Sequence, residues 1–396
     1  MDPSVLTRKA FTFLLSQLLL LSICLTSFLS PAQGSSKPTM ATDVFLLMEY
    51  STGQVLYSSR EHDRVPPASL TKLMSVYTLY KIMEQNSYSW QKPIPITTAV
   101  KRSYGATANL SVGEVLPLRD LYYAMLLPSA NDASVALAEA LAGSEDAFAK
   151  QMTINAQALG MENSSFLNAS GLPIREAGLS HQHYMSAYDT ALLSRQLLHE
   201  YPQILTVTSM KTAPFRDGAR RLNNTNRLLE AYAGLDGLKT GFTSAAGYCF
   251  VGTAERQGLR LIAVVMGTKS VQERERATQR LLDYGFQNYY IANLWDIFTE
   301  EDLFYEQGSP SPLPVKIDKT VFFVAKKGEE HNYKPHIEWQ FPSSLPILEN
   351  QQLGYLSISY EGAKIVDNIP VLSKEELKNP FLPPFFPHLV PTFYGL

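Results

Sequence analysis

Cysteine is almost missing from these 396 residues: only Cys24 and Cys249 are present. Cys24 lies inside an apolar leader, so the rest of the chain has no partner for a disulfide and no thiolate cluster for zinc. Neither sign of charge dominates. With 34 Lys and Arg against 37 Asp and Glu, the formal charge is −3, and that balance offers no cationic surface to a phosphate backbone. Nucleic acid is not expected as a partner. Histidine is scarce too, at 7 residues. His181 and His183 share a strand face at a spacing that suits a metal, but no third ligand or His-Glu-x-x-His motif stands near them, so neither metal nor cofactor is expected. What is plentiful is apolar content, 45% of the chain, enough for sizeable cores. The length suggests two or three domains at roughly 150 residues each, without collagen-like, coiled-coil or disordered character.

Arg8 and Lys9 precede an apolar run from Ala10 to Leu29, and Ala32 and Gly34 would occupy the −3 and −1 positions of a cut before Ser35. That order of charged, apolar and small residues predicts a signal peptide over 1–34 and therefore export. The run exceeds the usual ~7–15 residues of a signal and approaches the ~20 of a spanning helix, so an uncleaved N-terminal anchor is the alternative. Bulky Ile23 argues against a lipid on Cys24.

The body opens with two short strands, Val44 to Leu47 and Val55 to Tyr57, around the turn residues Ser51, Thr52, Gly53 and Gln54. After Pro66 and Pro67, helical spacing of Leu70, Leu73, Met74, Tyr77 and Tyr80 predicts a helix from Ser69 to Met83. Two more helices, 118–127 and 133–142, flank a loop of Pro128, Ser129, Ala130, Asn131 and Asp132. Strands follow at 235–242, 248–253 and 259–266. Strands, a helical block and strands again give an α+β domain built on an antiparallel sheet, expected to span 35–298. A linker at 299–314, a small all-β domain at 305–372 and a Pro- and aromatic-rich tail at 373–396 complete the chain. No internal repeat is present.

Ser69 and Lys72 stand at i and i+3 of a helix start, so both project on one face and the amine can reach the hydroxyl. A lysine serves as the base for a serine nucleophile if burial and neighbours lower its pKa by ~3 units. The tetrad alone would arise by chance. It is followed, however, by Ser129-Ala130-Asn131 and then by Lys239-Thr240-Gly241 on an expected strand, the three elements and the order found in enzymes acylated on serine.

With these motifs, and with Asn168-Ala169-Ser170-Gly171-Leu172-Pro173 and Asp236-Gly237-Leu238, the chain resembles the low-molecular-mass penicillin-binding proteins, the serine-type D-alanyl-D-alanine carboxypeptidases of peptidase type S11. The resemblance implies a β-lactamase/transpeptidase-like fold and removal of the terminal D-alanine of peptidoglycan stem pentapeptides through an acyl-enzyme. It makes β-lactams inhibitors, and it places the protein in the periplasm or on the outer face of the cytoplasmic membrane. It implies Ser69 as nucleophile, Lys72 as general base and Ser129 as proton relay. Asn131 would bind the substrate backbone, and Lys239 would add positive charge beside the serine and help keep Lys72 neutral. Thr240 would contact the substrate carboxylate through its hydroxyl, and Gly241 would join them in binding substrate. Ser69 and Phe242 would supply the backbone N–H groups of an oxyanion hole. Arg274, eleven residues before Gly285, would help bind the terminal carboxylate, unless it is only a charge on a helix surface among Glu273, Glu275 and Arg276. His183 would brace the site.

Three alternatives accompany this reading. A class A β-lactamase would need a glutamate four residues before an asparagine, and the residue four before Asn168 is Ser164. A D,D-endopeptidase or transpeptidase uses the same acyl-enzyme. A structural penicillin-binding protein would be free to lose Lys72. The tail departs from relatives that end in an amphipathic membrane helix, because its prolines from Pro380 to Pro391 forbid one. Phe381, Phe385, Phe386, Phe393 and Tyr394 remain available for contact with a membrane surface.

Overall fold

The computed structural model describes residues 36–304 apart from 177–178 and 182, and residues 314–376 apart from 318–319, 341 and 343–345. The expected leader and nearly all of the tail lie outside the described residues. Two compact units are formed, the larger spanning Ser36–Gln287 and the second containing the residues from Asn288 on.

In the larger unit Val44–Glu49 (β1) and Val55–Ser59 (β2) form the opening hairpin. A helical block follows, with Thr71–Asn86 (α1), Leu118–Leu126 (α2), Asn131–Ala142 (α3), Glu145–Ala158 (α4) and Ala187–Glu200 (α5). Leu235–Thr243 (β3), Gly247–Arg256 (β4), Leu259–Thr268 (β5) and Val271–Asn288 (α6) then complete it. The sheet runs β2-β1-β5-β4-β3 and is antiparallel at every pairing. All six residues of β1 are buried, which is why its sequence is a continuous apolar run: both faces of this inner strand are covered. Pairing of Val44 with Met266 closes the chain on itself across the whole helical block.

Residues Thr71 to Tyr80 of α1 are buried without a break, so this helix runs through the middle of the domain. The expected helix start at Ser69 is a short 3-10 turn, Ala68–Leu70, leading directly into α1. Strand β3 is the sheet edge, with Lys239 opposite Val251 and Gly241 opposite Cys249. A side chain at Gly241 would put its β-carbon 3.1 Å from both the Pro67 carbonyl oxygen and the Ser69 nitrogen. Glycine therefore lets the edge strand lie against the turn that carries Ser69.

In the second unit Tyr289–Asn293 (β6) precedes Val315–Lys316 (β7), Phe322–Lys326 (β8), Tyr333–Trp339 (β9), Gln352–Tyr360 (β10) and Ala363–Ser373 (β11). β6 pairs with β8, and a second sheet runs β7-β11-β10-β9. Ala292, Leu294, Phe323, Tyr333, Leu356 and Val371 share its core. Among the described residues no helix is long and apolar enough to cross a membrane.

Candidate active site

Ser69 follows Ala68, whose φ of 50° is left-handed. Such a conformation costs a residue with a β-carbon about 1–3 kcal/mol and is retained where the surroundings impose it. The same holds for Ser129, at φ 66° in the loop between α2 and α3. Both serines line one cavity of about 520 Å³, together with Asn131, Thr240, Gly241, Phe242 and Arg274. Every expected site residue except Lys72 and Lys239 is on that wall, and those two lysines lie buried beneath it.

Lys72 is fully buried, and among the described residues its Nζ has three partners. It lies 3.0 Å from Ser69 Oγ, 2.7 Å from Asn131 Oδ1 and 2.8 Å from the Ser170 carbonyl oxygen. Burial strips the ammonium of hydration and, with the positive charge of Lys239, holds the amine well below the usual lysine range, while Asp132 and Glu145 act in the opposite sense. Asn131 cannot turn over, because its Nδ2 donates to the Tyr104 carbonyl at 2.6 Å. Next to it, the Asp132 carboxylate accepts the Ala108 and Leu110 N–H groups at 2.8 and 3.0 Å and fixes the loop over the cavity. Ser129 Oγ is buried without a hydrogen-bond partner among the described residues.

The Ser170 carbonyl is positioned by the loop that begins at Asn168. Asn168 Oδ1 accepts from Ser170 N, Ser170 Oγ and Gly171 N, and its Nδ2 donates to the Leu172 carbonyl. Gly171, at φ 83°, passes so close to Ala68 that a β-carbon would lie 2.1 Å from the Ala68 oxygen. Buried His183 accepts the Leu167 N–H on Nδ1 at 3.2 Å, and burial pushes its pKa down to about 4, so a neutral imidazole supports the loop. The side chain of His181 lies outside the described residues.

On the sheet side, burial and then the charge of Arg274 push Lys239 down to about 7. Its Nζ donates to the Thr240 carbonyl at 3.0 Å. Thr240 Oγ1 lies 2.6 Å from Thr225 Oγ1. Arg274 is only 6% exposed, so it is not a helix-surface charge; its Nη2 lies 3.7 Å from Glu275. Phe242 is 52% exposed and lies over Tyr248 with ring centroids 4.3 Å apart. Sequence reasoning missed Thr225, Arg227 and Tyr248, which line the same cavity. The dense polar run Asn223-Asn224-Thr225-Asn226-Arg227 just before β3 was the available signal for the first two.

Comparison with known proteins identifies the family. A family model described as D-alanyl-D-alanine carboxypeptidase, peptidase S11, matches residues 31–270, and one described as penicillin-binding protein 5, C-terminal domain, matches 296–379. The D-alanyl-D-alanine carboxypeptidase DacF of Bacillus subtilis is 32% identical over 338 residues, 84% of this chain and 85% of that protein. Penicillin-binding protein 5 of Haemophilus influenzae superposes with a TM-score of 0.69 at 25% identity, covering 87% of this chain and all of the other. Penicillin-binding protein D2 of Listeria monocytogenes, in its ampicillin-bound form, gives 0.57 at 35% identity over 63% of this chain. The chain thus belongs to the peptidase S11 family and is a serine-type D-alanyl-D-alanine carboxypeptidase.

Proposed function

We propose that Ser69 is the nucleophile of this carboxypeptidase and Lys72 its general base, and that the observation carrying the assignment is the hydrogen bonding of Lys72 Nζ. Asn131 Oδ1 and the Ser170 carbonyl can only accept. A neutral amine gives its two N–H bonds to them, which leaves its lone pair for the one partner able to donate, the Ser69 hydroxyl at 3.0 Å. Burial and Lys239 favour that neutral form.

The steps follow from this arrangement. Ser69 Oγ gives its proton to Lys72 and attacks the carbonyl carbon of the penultimate D-alanine. The oxygen that becomes negative is received by the Ser69 and Phe242 N–H groups, which the close approach at Gly241 brings together. The proton passes by way of Ser129 Oγ, which has no hydrogen-bond partner among the described residues, to the nitrogen of the leaving D-alanine as the C–N bond breaks. Water, deprotonated by the same lysine, then releases the shortened stem peptide and restores Ser69. Asn131 orients the substrate backbone, and Arg274, Lys239 and Thr240 hold the terminal carboxylate.

The leader with Arg8, Lys9 and the run to Leu29 supports action outside the cytoplasm, on peptidoglycan, and the aromatic tail supports contact with a membrane surface. The test of the site is direct. Wild-type protein with an acyl-D-Ala-D-Ala peptide releases D-alanine and with penicillin gains one adduct by intact mass, and Ser69→Ala does neither. An adduct that maps to Ser129 would overturn the assignment.

A further inference from the structure

Glu145 opens α4 and belongs to none of the motifs, yet it stands directly behind the catalytic lysine. Its Oε1 accepts the Ala169 N–H at 3.1 Å. On the other side of the same residue, the Ala169 carbonyl accepts from Ser75 Oγ at 2.7 Å. Ser75 lies one turn along α1 from Lys72, and the next carbonyl of the loop, that of Ser170, is the one that takes the Lys72 amine at 2.8 Å. The loop is therefore strapped between two helices, by Ser75 from α1 and by Glu145 from α4. A second cavity, about 620 Å³, lies on the far side of the loop, lined by Glu145, Asp146, Arg102, Asn168, Ser170 and Leu172.

We propose that Glu145 is a positioning residue for the reaction: its carboxylate holds the Asn168–Gly171 loop against Lys72, and its negative charge as well as its hydrogen bond acts on that lysine. The inference rests on Lys72 as general base. Three charged groups face Lys72, Lys239 from β3, Asp132 from α3 and Glu145 from α4, and His183 beneath the loop is neutral. Asp132 is occupied by the N–H groups of Ala108, Leu110 and Ala133. Among the described residues Glu145 has one such N–H donor and the attraction of Arg102, against a burial that favours its protonated form. A carboxylate there favours the protonated amine and opposes Lys239. Burial acts first, and Lys239, Asp132 and then Glu145 adjust the pH above which Lys72 is free to accept the Ser69 proton.

Glu145→Gln separates charge from hydrogen bond, because the amide oxygen still accepts from Ala169. Glu145→Ala removes both. The measurement is kcat/KM for acyl-D-Ala-D-Ala, and the acylation rate with penicillin, between about pH 5 and 10. Glu145→Gln is expected to move the acid limb of both profiles to lower pH, since loss of the negative charge makes Lys72 easier to deprotonate. Glu145→Ala is expected to lower the rates about tenfold at every pH as well, because the loop loses its strap. Superposition of the Glu145→Gln profile on wild type overturns the charge role, and wild-type rates for Glu145→Ala overturn the strap. Lys72→Ala run in parallel keeps the readings apart. If it acylates normally, the premise itself fails; if it is inactive while the Glu145→Gln limb stays in place, only the role of Glu145 falls.

Discussion

Asn131 accepts the Lys72 amine on Oδ1 at 2.7 Å while its Nδ2 donates to the Tyr104 carbonyl at 2.6 Å, so one planar amide ties the proposed base to the loop that roofs the cavity. Asn131→Asp keeps the shape and reverses the chemistry. A carboxylate beside Nζ stabilises the ammonium, and its second oxygen meets the Tyr104 carbonyl with no proton to share. Acylation by penicillin at neutral pH should fall at least about a hundredfold, the size expected for losing a general base. The acid limb should move to higher pH. A stopped-flow pH profile with unchanged limb and rate would show that Asn131 does not control Lys72.

Gly241→Ala tests the fit between the sheet edge and Ser69, the proposed nucleophile. Its β-carbon would meet the Pro67 oxygen and the Ser69 nitrogen at 3.1 Å, with backbone on the opposing side that cannot swing away. The edge strand must retreat by a few tenths of an ångström, and the two proposed oxyanion donors, the Ser69 and Phe242 N–H groups, move apart with it. Loss of one such donor costs about 10²–10³ in rate. The expectation is a folded protein, by circular dichroism, whose acylation is slowed to that extent.

The sequence makes the polar part of the site legible because its residues come in tight local patterns: Ser69 with Lys72, Ser129 with Asn131, Lys239 with Thr240. The strands expected at 235–242 and 259–266 and the helix expected at 69–83, found at 235–243, 259–268 and 71–86, are legible for the same reason, since continuous apolar runs and helical spacing are local signals. What brings the patterns together is not local. The Ser170 carbonyl that holds Lys72 is a backbone group of a loop 98 residues away, and any residue would supply it. Glu145 is one of several acidic residues around α4, with no local feature to separate it from Asp146. Arg274 looks like a surface charge among Glu273, Glu275 and Arg276, and only the packing of α6 on the sheet buries it. The strand at 289–293 is hidden because it follows α6 without a break and is defined by pairing with β8.

Lys239 ties function to stability. The folded protein releases its proton near pH 7, whereas the unfolded chain holds it until roughly pH 10.4. Between those values the unfolded state binds more protons, so this residue makes stability rise with pH, and its burial penalty is fully present below about pH 7. Methionine fills similar space without the charge. Lys239→Met should therefore melt higher than wild type at about pH 6, with the difference shrinking as pH approaches 10, while activity is lost. A variant that melts lower than wild type at both pH values would mean that the buried ammonium is stabilised by its surroundings after all.

Arg274 carries the sharpest statement about reaction type. A carboxypeptidase must recognise the free carboxylate of the last D-alanine, and Arg274 lines the cavity with Thr240 above the buried Lys239. A hydrogen bond to a charged group contributes about 1.5–3 kcal/mol, so Arg274→Ala should lower kcat/KM for acyl-D-Ala-D-Ala roughly ten- to hundredfold. Acylation by a β-lactam ester, which lacks the carboxylate, should fall far less. The variant has a second signature. Because the guanidinium helps depress Lys239, its removal should move the titration of Lys239 upward, which supplies some positive charge to the carboxylate at neutral pH and keeps the loss finite. Arg274→Lys should recover part of the rate but not all, since an ammonium cannot present two parallel N–H donors. If Arg274→Ala cleaves the dipeptide terminus as fast as wild type with the fold intact, the carboxylate is held elsewhere, and Arg227 on the same wall becomes the residue to replace.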